Sequence, residues 1–345
     1  MTDLKTYYAG IELKNPIIVG ASNLVTAPNN LILLEQAGAS AIVYKSLFEE
    51  QIQIESYQLE NTMSKYSHWD SEHETMFPQV EHAGPAEHLL QLKKAKKMLS
   101  IPLIGSLNCV SKDTWGEYAV KMADTGIDAL ELNFYASELN PVTQPEVIEE
   151  SEMETLNVVR NAIKIPVIVK LSPFYTNTLG HVVELDRSGA DGFVLFNRLF
   201  QPDIDIQKEE HHFPYNFSSE NDNRLALRYA GLLYGKTKGS ICCNTGIFTG
   251  ADVIKMLLAG ADAVQVVSAI YKKGMDHIGH MIHDLETWME KKGYAKLDDF
   301  RGKLSRGKLI DPFVYKRAQY VDILMKSEIF MQYHPKDRDW DDDSL

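Results

Sequence analysis

The chain has 345 residues, a net charge of −13 and 24% charged residues, a balance typical of soluble globular proteins. The negative charge argues against a nucleic-acid partner, because phosphates would be repelled unless the fold gathered a basic patch. No apolar run approaches the roughly 20 residues that span a bilayer, and the polar start Met-Thr-Asp-Leu-Lys-Thr carries no signal segment. We therefore expect a cytoplasmic enzyme with no membrane partner.

A short pattern recurs four times along the chain and predicts a repeated helix–turn–strand unit. Each copy places Gly after a helical stretch, then small residues, then an apolar run; the copies begin at Ala37, Thr125, Ser188 and Ala259. Gly suits the left-handed position that ends many helices. A continuous apolar run suits a strand that is buried on both faces.

Eight such strands are predicted, and helical patterns lie between most of them. The strands are Ile17–Gly20, Ala41–Tyr44, Pro102–Ser106, Ala129–Asn133, Pro166–Lys170, Gly192–Phe196, Ser240–Cys243 and Ala263–Val267. The helices include Ala86–Leu99, Lys112–Thr125, Met153–Ile163, Arg224–Gly235 and Gly250–Ala259. Alternation of this kind predicts an α/β fold with a parallel sheet. Eight units favour a closed (β/α)8 TIM barrel over a doubly wound open sheet.

Three regions of the chain are additional to the strands, helices and short loops of a (β/α)8 barrel. Residues 46–84 follow the second strand and residues 198–223 follow the sixth, and long loops of this kind often cover active sites. Residues 1–295 are predicted to form the barrel. Residues 296–345 are predicted to form a C-terminal extension that packs on it, with a helix at Val314–Met325 and a frayed end.

The carboxyl ends of the predicted strands are rich in lysine, asparagine and hydroxyl residues. Active sites of such barrels lie at this end. Lys45 and Lys170 each follow a buried apolar run, where a lysine is costly unless it is paired or bound; the alternative is a rim lysine that reaches solvent. No carboxylate pair or histidine cluster appears at these ends. The lysine, asparagine and hydroxyl side chains at the strand ends therefore favour a planar, hydrogen-bonding anion as the ligand, and we expect no metal site.

Two segments near the end of the barrel are candidates for binding phosphate. Asn244-Thr-Gly-Ile-Phe-Thr-Gly250 opens a helix, and Ser268-Ala-Ile-Tyr follows the eighth strand. Backbone N–H groups at helix starts bind phosphate, and barrels often use this position. Gly246 could equally mark a tight turn without a ligand.

Seven ordered segments within residues 8–290 resemble the dihydroorotate dehydrogenase family of FMN-dependent (β/α)8 barrels. They are Gly10-Ile-Glu-Leu-Lys-Asn-Pro16, Ala21-Ser22, Tyr44-Lys-Ser46, Glu131-Leu-Asn133, Val169-Lys-Leu-Ser-Pro173, Asn244–Gly250 and Gly260-Ala-Asp-Ala-Val-Gln-Val266. The resemblance implies an oxidoreductase that acts on a CH–CH bond. A hydride would pass from a dihydropyrimidine-like substrate to flavin N5, in pyrimidine biosynthesis if that substrate is dihydroorotate. It also implies a homodimer.

The resemblance assigns roles to residues of this chain. The residues implied to contact FMN are Ala21, Ser22, Lys45, Ser46, Ser106, Asn108, Asn133, Lys170, Asn197, Thr245, Gly246 and Ser268, the last three at its phosphate. The residues implied to contact the substrate are Lys45, Asn133, Asn197 and His82.

Three departures from the family pattern bear on the base, on the substrate and on the FMN phosphate. Ala136 occupies the position where the family carries its catalytic Cys or Ser base, with Tyr135 and Ser137 on either side. Gln79-Val-Glu-His-Ala-Gly-Pro85 replaces the family's substrate loop, and Phe217-Ser-Ser-Glu-Asn-Asp replaces a Gly-rich phosphate segment. The resemblance therefore implies contacts to the flavin ring and some of those to its phosphate, whereas the residues that recognise orotate differ from the family pattern.

Dihydroorotate oxidation also needs a base within hydrogen-bond reach of the proton that is removed. The candidates are Ser137, Tyr135, His82 and Cys109, although a cysteine at such a position is often only a small buried side chain.

Two other functions remain open at this point. One is a degenerate barrel that binds flavin or a small anion without turnover, for which Ala136 is the reason. The other is a non-redox phosphate-binding aldolase or isomerase, in which Lys170 would form a Schiff base.

Overall fold

In the computed structural model, the described residues are 2–52, 84–134, 140–198, 202–212 and 217–311, with residues 315, 316, 321 and 325. The strands are β1 (Thr6–Tyr8), β2 (Ile11–Leu13), β3 (Ile17–Val19), β4 (Ala41–Val43), β5 (Leu47–Phe48), β6 (Leu103–Asn108), β7 (Ala129–Asn133), β8 (Val167–Leu171), β9 (Gly192–Leu195), β10 (Asp203–Asp205), β11 (Glu210–His212), β12 (Ser240–Cys243) and β13 (Ala263–Val266). The helices are α1 (Pro28–Gln36), α2 (Pro85–Met98), α3 (Lys112–Ala123), α4 (Pro145–Ala162), α5 (Thr178–Arg187), α6 (Arg224–Leu233), α7 (Gly250–Ala259), α8 (Ser268–Lys273) and α9 (His277–Lys292).

Eight of these strands form a closed parallel barrel. Their order around the barrel is β4-β3-β13-β12-β9-β8-β7-β6, and β4 pairs with β6 to close it. The prediction of a (β/α)8 barrel is confirmed. The open-sheet alternative is excluded, because an open sheet would leave two unpaired edges.

The predicted strand boundaries agree with the structure to within two residues, whereas helix α4 starts earlier than predicted. The prediction placed its start at Met153, but the helix begins at Pro145 and has Glu146 in its first turn. Proline fits the first helical position because its missing N–H would have no partner there. An acidic side chain at this end is stabilised by the helix dipole.

The core has two layers, one inside the barrel and one between the barrel and its helices. The N-terminal hairpin, β1 with β2, contributes Tyr8, Ala9 and Leu13 to the inner layer, where they pack against barrel residues such as Ile168 and Val194. The inner layer therefore fills the barrel from the end opposite the predicted site.

Strand periodicity places a polar layer directly above this apolar one. Side chains two residues apart in a strand point to the same face, so the residues two positions after inward-facing apolar residues also face inward. Those residues are Lys45, Ser106, Glu131, Lys170 and Gln265, which follow Val43, Ile104, Ala129, Ile168 and Ala263. The barrel interior thus turns polar at its carboxyl end.

The regions outside the barrel are described in part. The segment after β9 contains the antiparallel hairpin of β10 and β11, and β5 pairs with β6 after the second barrel strand. Residues 53–83 of that second segment lie outside the described ranges. No helix in the described part of the chain is long and apolar enough to cross a membrane.

The start of the C-terminal extension runs along the barrel helices. The backbone N–H of Gly302 donates to the carbonyl of Leu257 at 2.9 Å, and that of Arg306 donates to Gly231 at 2.9 Å. The predicted helix at Val314–Met325 falls mostly outside the described residues, and the division between 1–295 and 296–345 stays a prediction.

Candidate functional site

A cavity of about 350 Å³ lies at the carboxyl end of the barrel and collects most of the predicted site residues. The predicted residues on its lining are Ala21, Ser22, Lys45, Ser46, Asn133, Lys170, Asn197, Thr245, Gly246 and Ser268. Eight of them follow five of the barrel strands, and Asn133 and Lys170 lie at the carboxyl ends of two more, β7 and β8. The parallel topology brings these positions together.

Two predicted flavin contacts do not lie on this lining. Ser106 is fully buried below the cavity, where its Oγ lies 2.7 Å from Oγ of Ser46. Asn108 lies at the end of β6, opposite Phe48 of β5. Ser106 can therefore act on the cavity through Ser46, while the structure places Asn108 outside it.

The predicted catalytic residues Tyr135 and Ser137, the family base position Ala136 and the predicted substrate contact His82 lie outside the described residues. Cys109, the other candidate base, is described and is not on the cavity lining. Burial, together with the nearby Glu49, raises the pKa of its thiol. A thiol that keeps its proton at neutral pH is a poor base, so Cys109 does not supply the missing group.

Lys170 is positioned by a buried polar cluster inside the barrel. Its Nζ lies 3.6 Å from Oε1 of Glu131, and the two side chains are 9% and 0% exposed. Gln265 donates from Nε2 to the other carboxylate oxygen of Glu131 at 2.6 Å. In the part of the chain that is described, Oε1 of Glu131 and Oε1 of Gln265 are buried without a hydrogen-bond partner. The cluster fixes Lys170 at the cavity floor. The two Oε1 atoms below it can still accept hydrogen bonds.

The sequence-based prediction missed Glu131 and Gln265 as site residues. Both stand at inward-facing positions of otherwise apolar strands, Gln265 between Val264 and Val266. A polar side chain at such a position is costly unless it is paired. Ala129 and Ala263 face the barrel interior, and counting every second residue from them along each strand would have identified Glu131 and Gln265.

Asn133 and Asn197 meet at the centre of the cavity rim. Asn197 donates from Nδ2 to Oδ1 of Asn133 at 2.6 Å. This bond sets the orientation of both amides, and Asn133 lies opposite Lys170 in the β7–β8 register. The pair can offer hydrogen bonds to the edge of a planar ligand beside Lys170.

The other end of the cavity is a turn built from backbone and hydroxyl groups. Thr245 and Gly246 have left-handed φ values of 71° and 74°. A Cβ on Gly246 would lie 2.5 Å from the backbone nitrogen of Asn223 and 2.8 Å from the carbonyl oxygen of Ser219. Only glycine fits such a close approach of two backbone segments.

Ser218 links this turn to the end of the eighth barrel strand. The Gly246 N–H donates to Oγ of Ser218 at 3.3 Å, and the Ser218 N–H donates to Oγ of Ser268 at 3.1 Å. Lys272 donates to the Ser218 carbonyl at 3.0 Å. The segment that replaces the family's Gly-rich phosphate stretch therefore still reaches the predicted phosphate end of the cavity.

The charges and donors of the cavity fit a flavin mononucleotide. Its described lining includes Lys45, Lys170 and Arg198 and no acidic residue. Ser22 Oγ is buried without a hydrogen-bond partner among the described atoms. Amine, amide and hydroxyl donors beside an aliphatic wall suit an acceptor-rich ring, and the Gly246 turn suits a phosphate.

Comparison with known proteins identifies the family of this chain. The family profile for dihydroorotate dehydrogenase matches residues 75–289, more than half of the chain. The catalytic subunit of dihydroorotate dehydrogenase B (NAD(+)) from Thermoplasma volcanium is 28% identical over 88% of this chain and 98% of that protein. The corresponding subunit from Methanocaldococcus jannaschii is 24% identical over 84% of this chain and 94% of that protein. Dihydroorotate dehydrogenase A (fumarate) from Lactobacillus helveticus is 28% identical over 59% of this chain and 68% of that protein.

Most of the segments that carry the resemblance lie on the strands and loops that build the cavity, whereas Gly10–Pro16 belongs to the N-terminal hairpin. The profile match covers the chain from before α2 into α9. This chain therefore belongs to the dihydroorotate dehydrogenase family.

Proposed function

We propose that this protein is an FMN-dependent oxidoreductase that acts on a CH–CH bond of a small dihydropyrimidine-like substrate. The observation that carries the proposal is the convergence of ten predicted cofactor residues on one cavity, with Lys170 fixed at its floor by Glu131. The names of the relatives support the same reaction class.

The chain's own residues form a cofactor-binding set and a substrate-binding set, and Lys45, Asn133 and Asn197 belong to both. Lys45 and Lys170 would hold the flavin ring, and the Gly246 turn with Ser268 would hold the phosphate. FMN, when bound, supplies a hydride acceptor at N5. A lysine beside the ring favours the reduced flavin because it offsets the negative charge that develops there.

Asn133 and Asn197 would bind the substrate, because their amides are held together at the rim beside Lys170. The reaction also releases a proton from the carbon next to the one that loses the hydride, and a base must lie within hydrogen-bond reach. Ala136 has no group that can accept it. Ser137, Tyr135 and His82 remain the candidate bases.

A second candidate function is flavin binding without turnover of dihydroorotate. The observation that favours it is Ala136, since the family carries Cys or Ser at this position. The two candidates share the cofactor and differ in whether dihydroorotate transfers a hydride.

One experiment separates these functions. We expect the purified protein to show a flavin spectrum, or to develop a flavin difference spectrum when FMN is added. Anaerobic dihydroorotate then bleaches the flavin if the first candidate is correct and leaves it oxidised if the second is correct. Lys170→Met should weaken FMN binding, whereas Lys238→Met, at an exposed residue near the opposite end of the barrel, should not. A colourless protein with no difference spectrum would contradict both candidates.

We further propose that the protein works in the cytoplasm as a homodimer, with a small molecule as its substrate. The resemblance to the family supports the dimer. Relatives that are named catalytic subunits suggest assembly with a different subunit as the alternative. Light scattering of the purified chain distinguishes a dimer from a monomer that awaits such a subunit.

A further inference from the structure

The carboxylate of Glu131 lies beneath the floor of the cavity. Its side chain is fully buried and is not part of the described lining. Lys170 and Gln265, the two side chains that hold it, do line the cavity. A ligand on the floor therefore meets Lys170 first and has the carboxylate of Glu131 behind it.

The floor thus presents two opposite charges, one behind the other. Nζ of Lys170 lies 3.6 Å from Oε1 of Glu131. Because the two charges largely cancel at a distance, the floor attracts a negative charge less than an unpaired lysine would. Solvent screens this effect little, since the two side chains are 9% and 0% exposed.

The charge of Glu131 is offset by Lys170 alone in the described part of the chain. Lys170 is the one cation there within 4 Å of the carboxylate. Gln265 donates a hydrogen bond to it at 2.6 Å but carries no charge. Tyr8 and Cys242 lie in the same inner layer of the core, and burial raises the pKa of both groups, so they stay neutral.

The Lys170–Glu131 pair acts on the charge that a bound flavin gains. The ring acquires one negative charge when it takes up two electrons and one proton, and charges beside it tune this step. Lys170 stabilises the new charge, whereas Glu131 opposes it. We propose that Glu131 is a positioning residue that also lowers the reduction potential of FMN in this cavity. The reduced cofactor then passes its electrons more readily to an acceptor. This inference rests on the proposed function for the presence of FMN.

The test measures the reduction potential of FMN bound to Glu131→Gln. The amide keeps the shape of the carboxylate and can still accept from Nε2 of Gln265, so the charge is the main change. Each protein is loaded with FMN and equilibrated anaerobically with a dye of known potential, and both spectra are recorded together. We expect the ratio of the affinities for reduced and oxidised FMN to rise about tenfold or more. That ratio corresponds to a potential raised by about 30 mV or more for a two-electron couple.

Two further variants separate the charge of Glu131 from a structural effect. Glu131→Asp keeps the charge, so its potential should stay closer to that of the wild type than the potential of Glu131→Gln does. Glu152→Gln is the matched control, because Glu152 is also a buried carboxylate but lies on α4 and is hydrogen-bonded to Tyr175 and His181 away from the cavity lining. This variant should leave the potential unchanged.

If Glu131→Gln does not fold, Glu131→Ser replaces it, since a water molecule can occupy the vacated space and solvate Lys170. FMN that binds with an unchanged or lowered potential in the Gln or Ser variant would overturn the inference, and so would an equal rise in Glu152→Gln. A wild-type protein that binds no FMN would overturn the proposed function and this inference with it, so the two failures are distinguishable.

Discussion

Substituting Lys170 by Met should destabilise the FMN-free protein strongly. The Glu131 side chain is fully buried, and the nearest cation is Nζ of Lys170 at 3.6 Å. Gln265 reaches only one of the two carboxylate oxygens. Removing the cation leaves a buried charge with a single described hydrogen bond, which typically costs about 3–5 kcal/mol.

Adding Glu131→Gln to this variant should restore most of the lost stability. The amide oxygen can still accept from Nε2 of Gln265, and no charge remains to be compensated. Replacing both members of a buried ion pair is often close to neutral. We therefore expect the double variant to be within about 1 kcal/mol of the wild type, with a coupling energy of about 2–4 kcal/mol.

The assay is urea unfolding of the FMN-free protein, followed by far-ultraviolet circular dichroism. FMN is omitted because a ligand that binds only the native state adds its own stabilisation. Lys121→Met, which breaks the exposed pair with Glu117 on α3, serves as the control and should change stability by less than about 0.5 kcal/mol. The reasoning is refuted if Lys170→Met lies within about 1 kcal/mol of the wild type, or if the double variant is no more stable than the single one.

Three further predictions test the Gly246 turn, the buried His88 and the base position. Gly246→Ala should weaken FMN binding at least tenfold in a fluorescence titration, whereas Gly235→Ala, with the same left-handed φ but open space around it, should not; equal losses would contradict the close approach at the turn. Burial, together with the positive charge of Lys45, lowers the pKa of His88 to about 4 in the folded protein. On acidification, the histidine of the unfolded chain therefore takes up its proton at a higher pH than that of the folded chain. The free energy of unfolding should therefore fall by up to about 3 kcal/mol from pH 6.5 to 4, and His88→Phe should remove that dependence in urea titrations. Ala136→Cys should speed anaerobic flavin reduction by dihydroorotate about 100-fold or more in stopped flow, and an unchanged rate would show that the base lies elsewhere.

The barrel could be predicted from the sequence because its strands are buried on both faces. Such strands appear as continuous apolar runs, for example Ala41–Val43 and Gly192–Leu195, and the Gly that lies shortly before each of these two runs marks the end of a helix. The start of α4 was missed because its first two turns are acidic and mostly exposed, so they carry little apolar periodicity.

The site was predictable where it follows from topology and unpredictable where it depends on packing. Parallel strands bring all their carboxyl ends to one rim, which places Lys45, Lys170 and Asn133 together without further information. The bond between Ser218 and Ser268 joins residues that are 50 positions apart, through a loop whose path is set by tertiary contacts. No local pattern could reveal it.

The residues of the cavity lie on two different parts of the fold. Lys170 and Glu131 belong to the barrel strands themselves, so the packing that closes the barrel also orients them. Asn197 and Arg198 instead follow a strand, in a loop that can change without disturbing the core. Substitutions in such loops can redirect the substrate while FMN binding persists. Because the strands hold Lys170 and Glu131 in place, the chain could bind FMN and still carry Ala136 at the base position, so we expect a different substrate and not a lost cofactor.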